Sequence, residues 1–309
     1  MSGIWIYSED INVAKEMVTL AKELAEKNNQ VIGAVTLNEE AAQELAGLGV
    51  SKVIVMKGSS DWAEAYDRPL TELLQAEGAE IVLIGGTVSG KYMAARAAAR
   101  LNAGLGTDAV KVAVEEKGIV IDRIIYGGLA VSTDEIAFPA FVTIPPHTYE
   151  AAAAGAVGEV TVKEVQADTA VTVEAVTKIE HRGVDITKAD KVVGVGRGIA
   201  KQEDVALAEQ LAHAIGAEMA CTRPVAEDAK WMPIDQYIGI SGKSIKGSLY
   251  IAVGASGQIQ HVAGIRDVKT IVAINSDESA PIFGAADYGI VGDYAAVVPA
   301  LVGAIEKVK

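Results

Sequence analysis

LYIAVGASGQIQHVAGIRDVKTIVAIN, residues 249–275, sets two apolar runs, LYIAVG and TIVAIN, on either side of a polar segment punctuated by glycine. Short runs of this kind read as buried strands, and their alternation with other segments is the βαβ signature. Core packing does not ask for Gln258, Gln260 and His261 beside a buried strand, so SGQIQHVAG (256–264) reads as facing something else. Ser256 and Gly257 can begin a helix, whose free N–H groups attract an anion such as a pyrophosphate. If the segment is helical, Gln258 and His261 are three apart and share a face.

The same alternation runs outward through the chain. GIWIYS, QVIGAVTL, KVIVMKG and EIVLIGG are strand candidates, with helices expected to begin near Asn12, Asn38, Asp61 and Val88. From about residue 108, AVKVAVEEKGIVIDRIIYGG predicts an antiparallel hairpin turning at Glu116-Lys117-Gly118, and AFPAFVTIPPHTYEAAAAGAVGEV then breaks the pattern with three prolines. A polar stretch, TKIEHRGVDITKAD (177–190), is a candidate hinge before a second α/β pattern. That pattern holds the strand candidates KVVGVG, EMACT, LYIAVG and TIVAIN, with helices expected over 202–216 and 294–308. The expected fold is α/β in two domains, each on a mostly parallel, doubly wound sheet. The first spans 1–185, with an antiparallel extension over about 108–180; the second spans 186–309 and carries the ligand.

Composition narrows the partners. The chain has 309 residues, half of them hydrophobic, and its net charge of −14 opposes phosphate backbones and anionic lipid surfaces. Nucleic acid and membrane insertion are therefore not expected. A single cysteine, Cys221, allows no intrachain disulfide and no cysteine-based metal site. With no basic leader and no run of about 18 apolar residues, the expected location is the cytoplasm.

Several loops follow strands and could hold a ligand. GGTVSGKY (85–92) nearly fits the phosphate-cradling loop, but Tyr92 stands where Mg²⁺ needs a small hydroxyl, and nucleotide hydrolysis is rejected. GVGRGI (194–199) keeps two of the three glycines of the dinucleotide fingerprint, with Ile199 in the third position. Thr222 and Arg223 end the next strand. Arg223 suits the 2′-phosphate of NADP, or pairs on the surface with Glu227 or Asp228. QYIGISGKS (236–244) offers backbone amides and the Ser241 hydroxyl. Arg197, Thr222, Ser241, Ser256, His261 and Asn275 thus fall at or just after strand ends of one domain, which favours a dinucleotide-sized site, and Asp293 belongs to the same edge. His147, His181 and His213 lack an evident catalytic partner, so the set suggests binding or electron transfer.

LYIAVGASGQIQHVAGIRDVKTIVAIN, followed by APIFGAADYGIVGD (280–293) and preceded by VGRG and TRPVAED, resembles the electron-transfer flavoprotein α subunit, over about 190–309. YGGLA (126–130) is similar to that family as well, and TRPVAEDAKWMPIDQYIGISGK is most similar to its FixB-type branch, associated with acyl-CoA and carnitine metabolism. The resemblance implies a heterodimer with a β subunit and one FAD held mainly by the second domain. The electrons would pass to or from an acyl-CoA dehydrogenase or reductase. Mapped by motif, the flavin contacts would be Arg197, Thr222, Ile238, Gly239, Ile240, Ser241, Ser256, Gly257, Gln258, Ile259, Gln260, His261, Asn275, Asp293 and Tyr294. Arg223 would lie over the isoalloxazine ring, Ser241 near N5 and His261 near O2, with Asn275 and Asp293 lying toward the adenosine. A donor from His261 and the fixed cation of Arg223 would stabilise the anionic flavin. This chain departs from many members in having Ile240-Ser241 for Gln-Thr, and Thr222 for Ser. An electron carrier is the reading adopted, in a complex that could also bifurcate electrons. The alternatives are an NADP-dependent oxidoreductase subunit and a non-catalytic docking subunit.

Overall fold

The computed structural model describes residues 3–28, 30–168, 170–177 and 184–308. The chain packs as two compact units, Met1–Val176 and Thr177–Lys309. His181 and part of the 177–190 stretch lie outside the described residues.

The first unit begins β1 (Gly3–Tyr7), α1 (Ile11–Asn28), β2 (Val31–Thr36), α2 (Glu39–Gly47), β3 (Lys52–Lys57), α3 (Asp67–Ala76), β4 (Ala79–Gly85) and α4 (Val88–Arg100). It continues with β5 (Gly104–Gly106), β6 (Ala109–Glu115), β7 (Gly118–Ile125), β8 (Ala130–Ala137), β9 (Ala140–Ile144) and β10 (Glu159–Glu164). Seven of these strands form one sheet in the order β10-β3-β2-β1-β4-β9-β5, and every pair in it is parallel. Successive side chains point to opposite faces, so these apolar strands need cover on both. Ile4 and Ile6 of β1 pack with Met17, Leu20 and Leu45 of α1 and α2. Trp5 and Tyr7 pack with Leu70, Leu74 and Met93 of α3 and α4.

Caps set the helix starts. Asn38 accepts from the N–H groups of Glu40 and Ala41 ahead of α2, and Thr87 from that of Gly90 in α4. The helix expected near Asp61 starts later. Tyr66 donates its hydroxyl to the Ser60 carbonyl at 2.6 Å and accepts the Ser60 N–H at 3.0 Å, closing a loop that delays α3 to Asp67. The antiparallel extension is also shorter than expected. β6, β7 and β8 form an antiparallel three-stranded sheet that turns at residues 116–117 and ends at Ala137. β9 and β10 then return to the parallel sheet, so the extension does not run to 180. The prolines that broke the pattern flank β9 without entering it, where their missing N–H costs no ladder bond.

The second unit runs β11 (Lys191–Val195), α5 (Val205–Ile215), β12 (Glu218–Thr222), α6 (Arg223–Glu227), β13 (Tyr237–Ile238) and β14 (Leu249–Val253). It continues with α7 (Ile259–Val262), β15 (Ile271–Asn275), α8 (Ile282–Ala285), β16 (Tyr288–Val291) and α9 (Tyr294–Glu306). All six strands are parallel, in the order β13-β12-β11-β14-β15-β16. Counted within the unit this is 3-2-1-4-5-6, the doubly wound order whose direction reverses between the first and fourth strands. Here the reversal falls between β11 and β14. α5 and α9 cover one face through Leu211 and Val298, while Tyr250, Ile265 and Ile282 fill the other.

Tyr250 lies directly over Gly194 of β11, where a Cβ would sit 2.1 Å from the tyrosine hydroxyl. Gly194→Ala should therefore overpack this layer and destabilise the unit by about 1–3 kcal/mol. Thermal unfolding checks it: an unchanged midpoint would mean that the tyrosine does not cover that glycine.

Candidate functional site

The strand order places a cleft at the carboxyl edge of the second sheet, beside its reversal point. Its volume is about 450 Å³ and its lining comes from the loops after β11, β12, β13 and β14. Glycines let the two central loops meet. Gly196 and Gly198 donate their N–H groups to Val253 O and Gly254 O, each at 2.8 Å. A Cβ on Gly196 would lie 2.3 Å from the Gly254 carbonyl oxygen, and one on Gly198 2.6 Å from the same atom. Gly254 itself has φ +66°, a left-handed conformation that favours glycine.

On the β11–β12 side, Arg197, Thr222 and Arg223 all line the cleft. Arg197 reaches out to Asp228 at 4.0 Å. Arg223, the first residue of α6, binds Glu227 one turn on, with Nε 2.6 Å from the carboxylate. The surface pairing weighed from the sequence is thus present, and the same arginine still borders the cleft. Its hydrogen bond to Glu227 raises its pKa further, so it is a permanent cation.

Ile238, Gly239, Ile240 and Ser241 form the next wall. Gly239 adopts φ +151°, and the Ile240 N–H donates to Gln260 O at 2.9 Å, stitching this loop to α7. Tyr237, also in the lining, donates its hydroxyl to Ser241 O and closes the loop.

Ser256, Gly257, Gln258, Gln260 and His261 complete the cleft. Gly257, at φ +80°, passes so close to α8 that a Cβ would lie 2.2 Å from Ile282 N. Two expectations for this segment are corrected. The helix spans only Ile259–Val262, a single turn, so Ser256 and Gly257 stand in a loop and do not begin a helix. Gln258 sits outside that turn with ψ 146°, so it shares no helical face with His261; Gln258 is exposed and the histidine buried.

His261 also differs from its expected role. Nε2 lies 2.8 Å from the Tyr250 hydroxyl and Nδ1 3.2 Å from Ile238 O. A carbonyl only accepts, so Nδ1 carries the hydrogen and Nε2 accepts from Tyr250. Both nitrogens are taken by protein, and the ring borders the cleft without a free N–H. Burial lowers its pKa, against an opposing effect of the bond to Ile238.

Four expected residues lie outside the cleft lining. Ile259 is exposed on the outer side of its turn. Asn275 donates to Ala255 O at 2.8 Å and accepts from Asp277 N at 3.0 Å, which ties two loops together. Asp293 caps α9 through Ala295 N. The Tyr294 hydroxyl accepts from Ala200 N and donates to Asp204. Conversely, Gly198, Pro224, Tyr237 and Gly254 line the cleft without having been singled out. The φ of Gly254 and the Tyr237–Ser241 bond that put them there are tertiary features. Among the described residues no cluster of acidic, histidine or cysteine side chains is placed to hold a metal ion, and no helix is long and apolar enough to cross a membrane.

A cleft of this size at a doubly wound reversal point, reached by glycine backbone and edged by a fixed cation, defines a dinucleotide-binding domain. Residues 185–266 match the electron transfer flavoprotein FAD-binding domain, and residues 8–170 match the electron transfer flavoprotein domain. Protein FixB of Escherichia coli O157:H7 is 42% identical over 313 aligned positions, covering 99% of each chain. Protein FixB of Shigella flexneri matches at 42% with the same coverage, and that of Shigella dysenteriae serotype 1 at 41%. The chain belongs to the electron transfer flavoprotein α-subunit family, and its cofactor is FAD. The glycine cradle and the apolar, arginine-edged cleft fit that cofactor.

Gly257→Ala should push the loop off Ile282 and lower retained FAD at least about tenfold, since a positive φ and a backbone collision must both be relieved. The flavin absorbance per mole of purified protein measures it. Full flavin content would show that the loop moves freely.

Proposed function

We propose that this chain is the α subunit of a heterodimeric electron-transfer flavoprotein that carries electrons between redox proteins, an acyl-CoA dehydrogenase or reductase among them. The observation that carries this reading is a cleft shaped for a dinucleotide but without an acid–base pair. His261 has both nitrogens engaged, and burial pushes the Cys221 thiol up to about 12, which leaves it inert. FAD, when bound, supplies the redox chemistry; the protein orients it and sets its potential.

In this reading Arg223 and Ser241 serve the ring system, as does Thr222. The turn over 255–258 takes the pyrophosphate on its backbone amides, those of Gly196, Gly198 and Gly254 being bonded within the protein. Arg197 adds a mobile positive charge at the mouth. Asn275, Asp293 and Tyr294 act beyond the cleft, toward the adenosine half, by holding the loops that end β15 and begin α9. The first unit is assigned to docking the β subunit, and bifurcation would depend on a second flavin in that partner. The alternative NADP reading loses its support, because residues 185–266 match a domain that binds FAD.

The test is the visible spectrum and redox titration of the complex with its β subunit. Flavin bands near one FAD per heterodimer support the carrier reading; a complex that stays colourless with added FAD overturns it. Arg223→Ala should lower the flavin potential by on the order of tens of millivolts, the scale of a solvent-screened charge. Glu227→Gln should raise it by a similar amount, because it removes the counter-charge and keeps the cation. Equal potentials across wild type and both variants would remove the arginine from the flavin's surroundings.

A further inference from the structure

Tyr250 is a fully buried tyrosine near the start of β14, and nothing in the electron-carrier reading uses it. Its hydroxyl is not spare. It donates to His261 Nε2 at 2.8 Å, and the rings stand 5.9 Å apart between centroids, tilted by 49°. His261 in turn donates from Nδ1 to Ile238 O, 3.2 Å away. Ile238 opens the Ile238–Ser241 wall of the cleft. A directed chain of hydrogen bonds therefore runs from β14 through α7 to that wall, and the backbone bond from Ile240 N to Gln260 O runs beside it.

We infer that Tyr250 is a positioning residue of the flavin site: its hydroxyl fixes the His261 imidazole in the Nδ1–H form, and the imidazole anchors the Ile238–Ser241 wall. The inference rests on reading the cleft as the FAD site. Two features support it. Phenylalanine would fill the same space without a buried hydroxyl that has to be satisfied, so packing alone does not account for tyrosine. The layer also gives way to that hydroxyl at Gly194, where any Cβ would strike it. Desolvation raises the tyrosine's pKa and lowers the histidine's, so the pair is a neutral link that adds no charge behind the flavin.

The experiment uses the FAD-loaded complex with the β subunit, in wild-type, Tyr250→Phe, His261→Gln and doubly substituted forms. The flavin midpoint potential and the FAD dissociation constant are measured in each. Tyr250→Phe should weaken FAD binding by about fivefold, the scale of one net hydrogen bond, and shift the potential. In the His261→Gln background the same substitution should shift neither. Equal shifts in both backgrounds, or no shift in either, would overturn the proposal. Nitrogen NMR of histidine-labelled protein reads the link directly without altering Tyr250, with His261→Gln used to assign the resonance. A His261 protonated at Nδ1, with Nε2 accepting, supports the proposal, and one protonated at Nε2 sinks it. The NMR requires no flavin. A wild-type complex that takes up no FAD would therefore mark failure of the cleft reading, while a wrong tautomer marks failure of the positioning role.

Discussion

Everything at the site depends on how closely two backbones can approach. At the reversal point of the second sheet, β11 and β14 end side by side, and their loops diverge in opposite directions. In most such folds that divergence opens a crevice. Here the turn after β11 is bonded to the end of β14, Gly196 to Val253 and Gly198 to Gly254. Side chains at these places would collide at 2.3–2.6 Å. The constraint leaves a cavity bordered by the loops after β11, β12, β13 and β14. A ligand held there meets glycine backbone, two arginines and apolar residues. That mixture suits a molecule with an anionic tail and a planar ring.

The charges are sorted by depth. Around the mouth stand Arg197 and Arg223, both solvent-exposed and each facing an acidic partner on α6 or just beyond it. Exposed pairs are worth little to stability, so their part is to shape the local field. Behind the cleft the polar groups are buried and neutral: Tyr250, His261 and Cys221 all have their charged forms disfavoured by desolvation. A carrier must accept and release electrons without committing a proton or a nucleophile of its own. A wall whose buried polar groups favour their neutral forms meets that requirement.

Much of this was legible from pattern alone, for a physical reason. Parallel strands are covered on both faces, so they appear as unbroken apolar runs, and β1, β4, β11, β14 and β15 were readable as such. β16 was not, because all four of its residues are exposed at the sheet edge. β13 is two residues long and carries no pattern. Helix starts followed visible caps at Asn38 and Thr87, whereas the start of α3 depended on a Tyr66–Ser60 contact that no local rule contains. In the site, the loops were legible as strand ends, but the direction of each side chain was not. Gln258 stays outside the helical turn because its backbone is extended, and Asn275 turns to Ala255 because a neighbouring loop offers a carbonyl.

His261 shows most clearly why position and role separate. Its placement beside a buried strand, among polar neighbours, marked it as facing something unusual, and it does border the cleft. Yet an imidazole has only two nitrogens. Once a backbone carbonyl claims one hydrogen and a buried hydroxyl claims the remaining lone pair, the ring can offer the ligand its face or edge but no proton. The polar contact that looked like recognition is turned inward, where it sets the shape of the wall. In the proposed reading, recognition is left to backbone amides, to Ser241 and to Arg223, and the histidine acts on the flavin through how firmly β14 holds it.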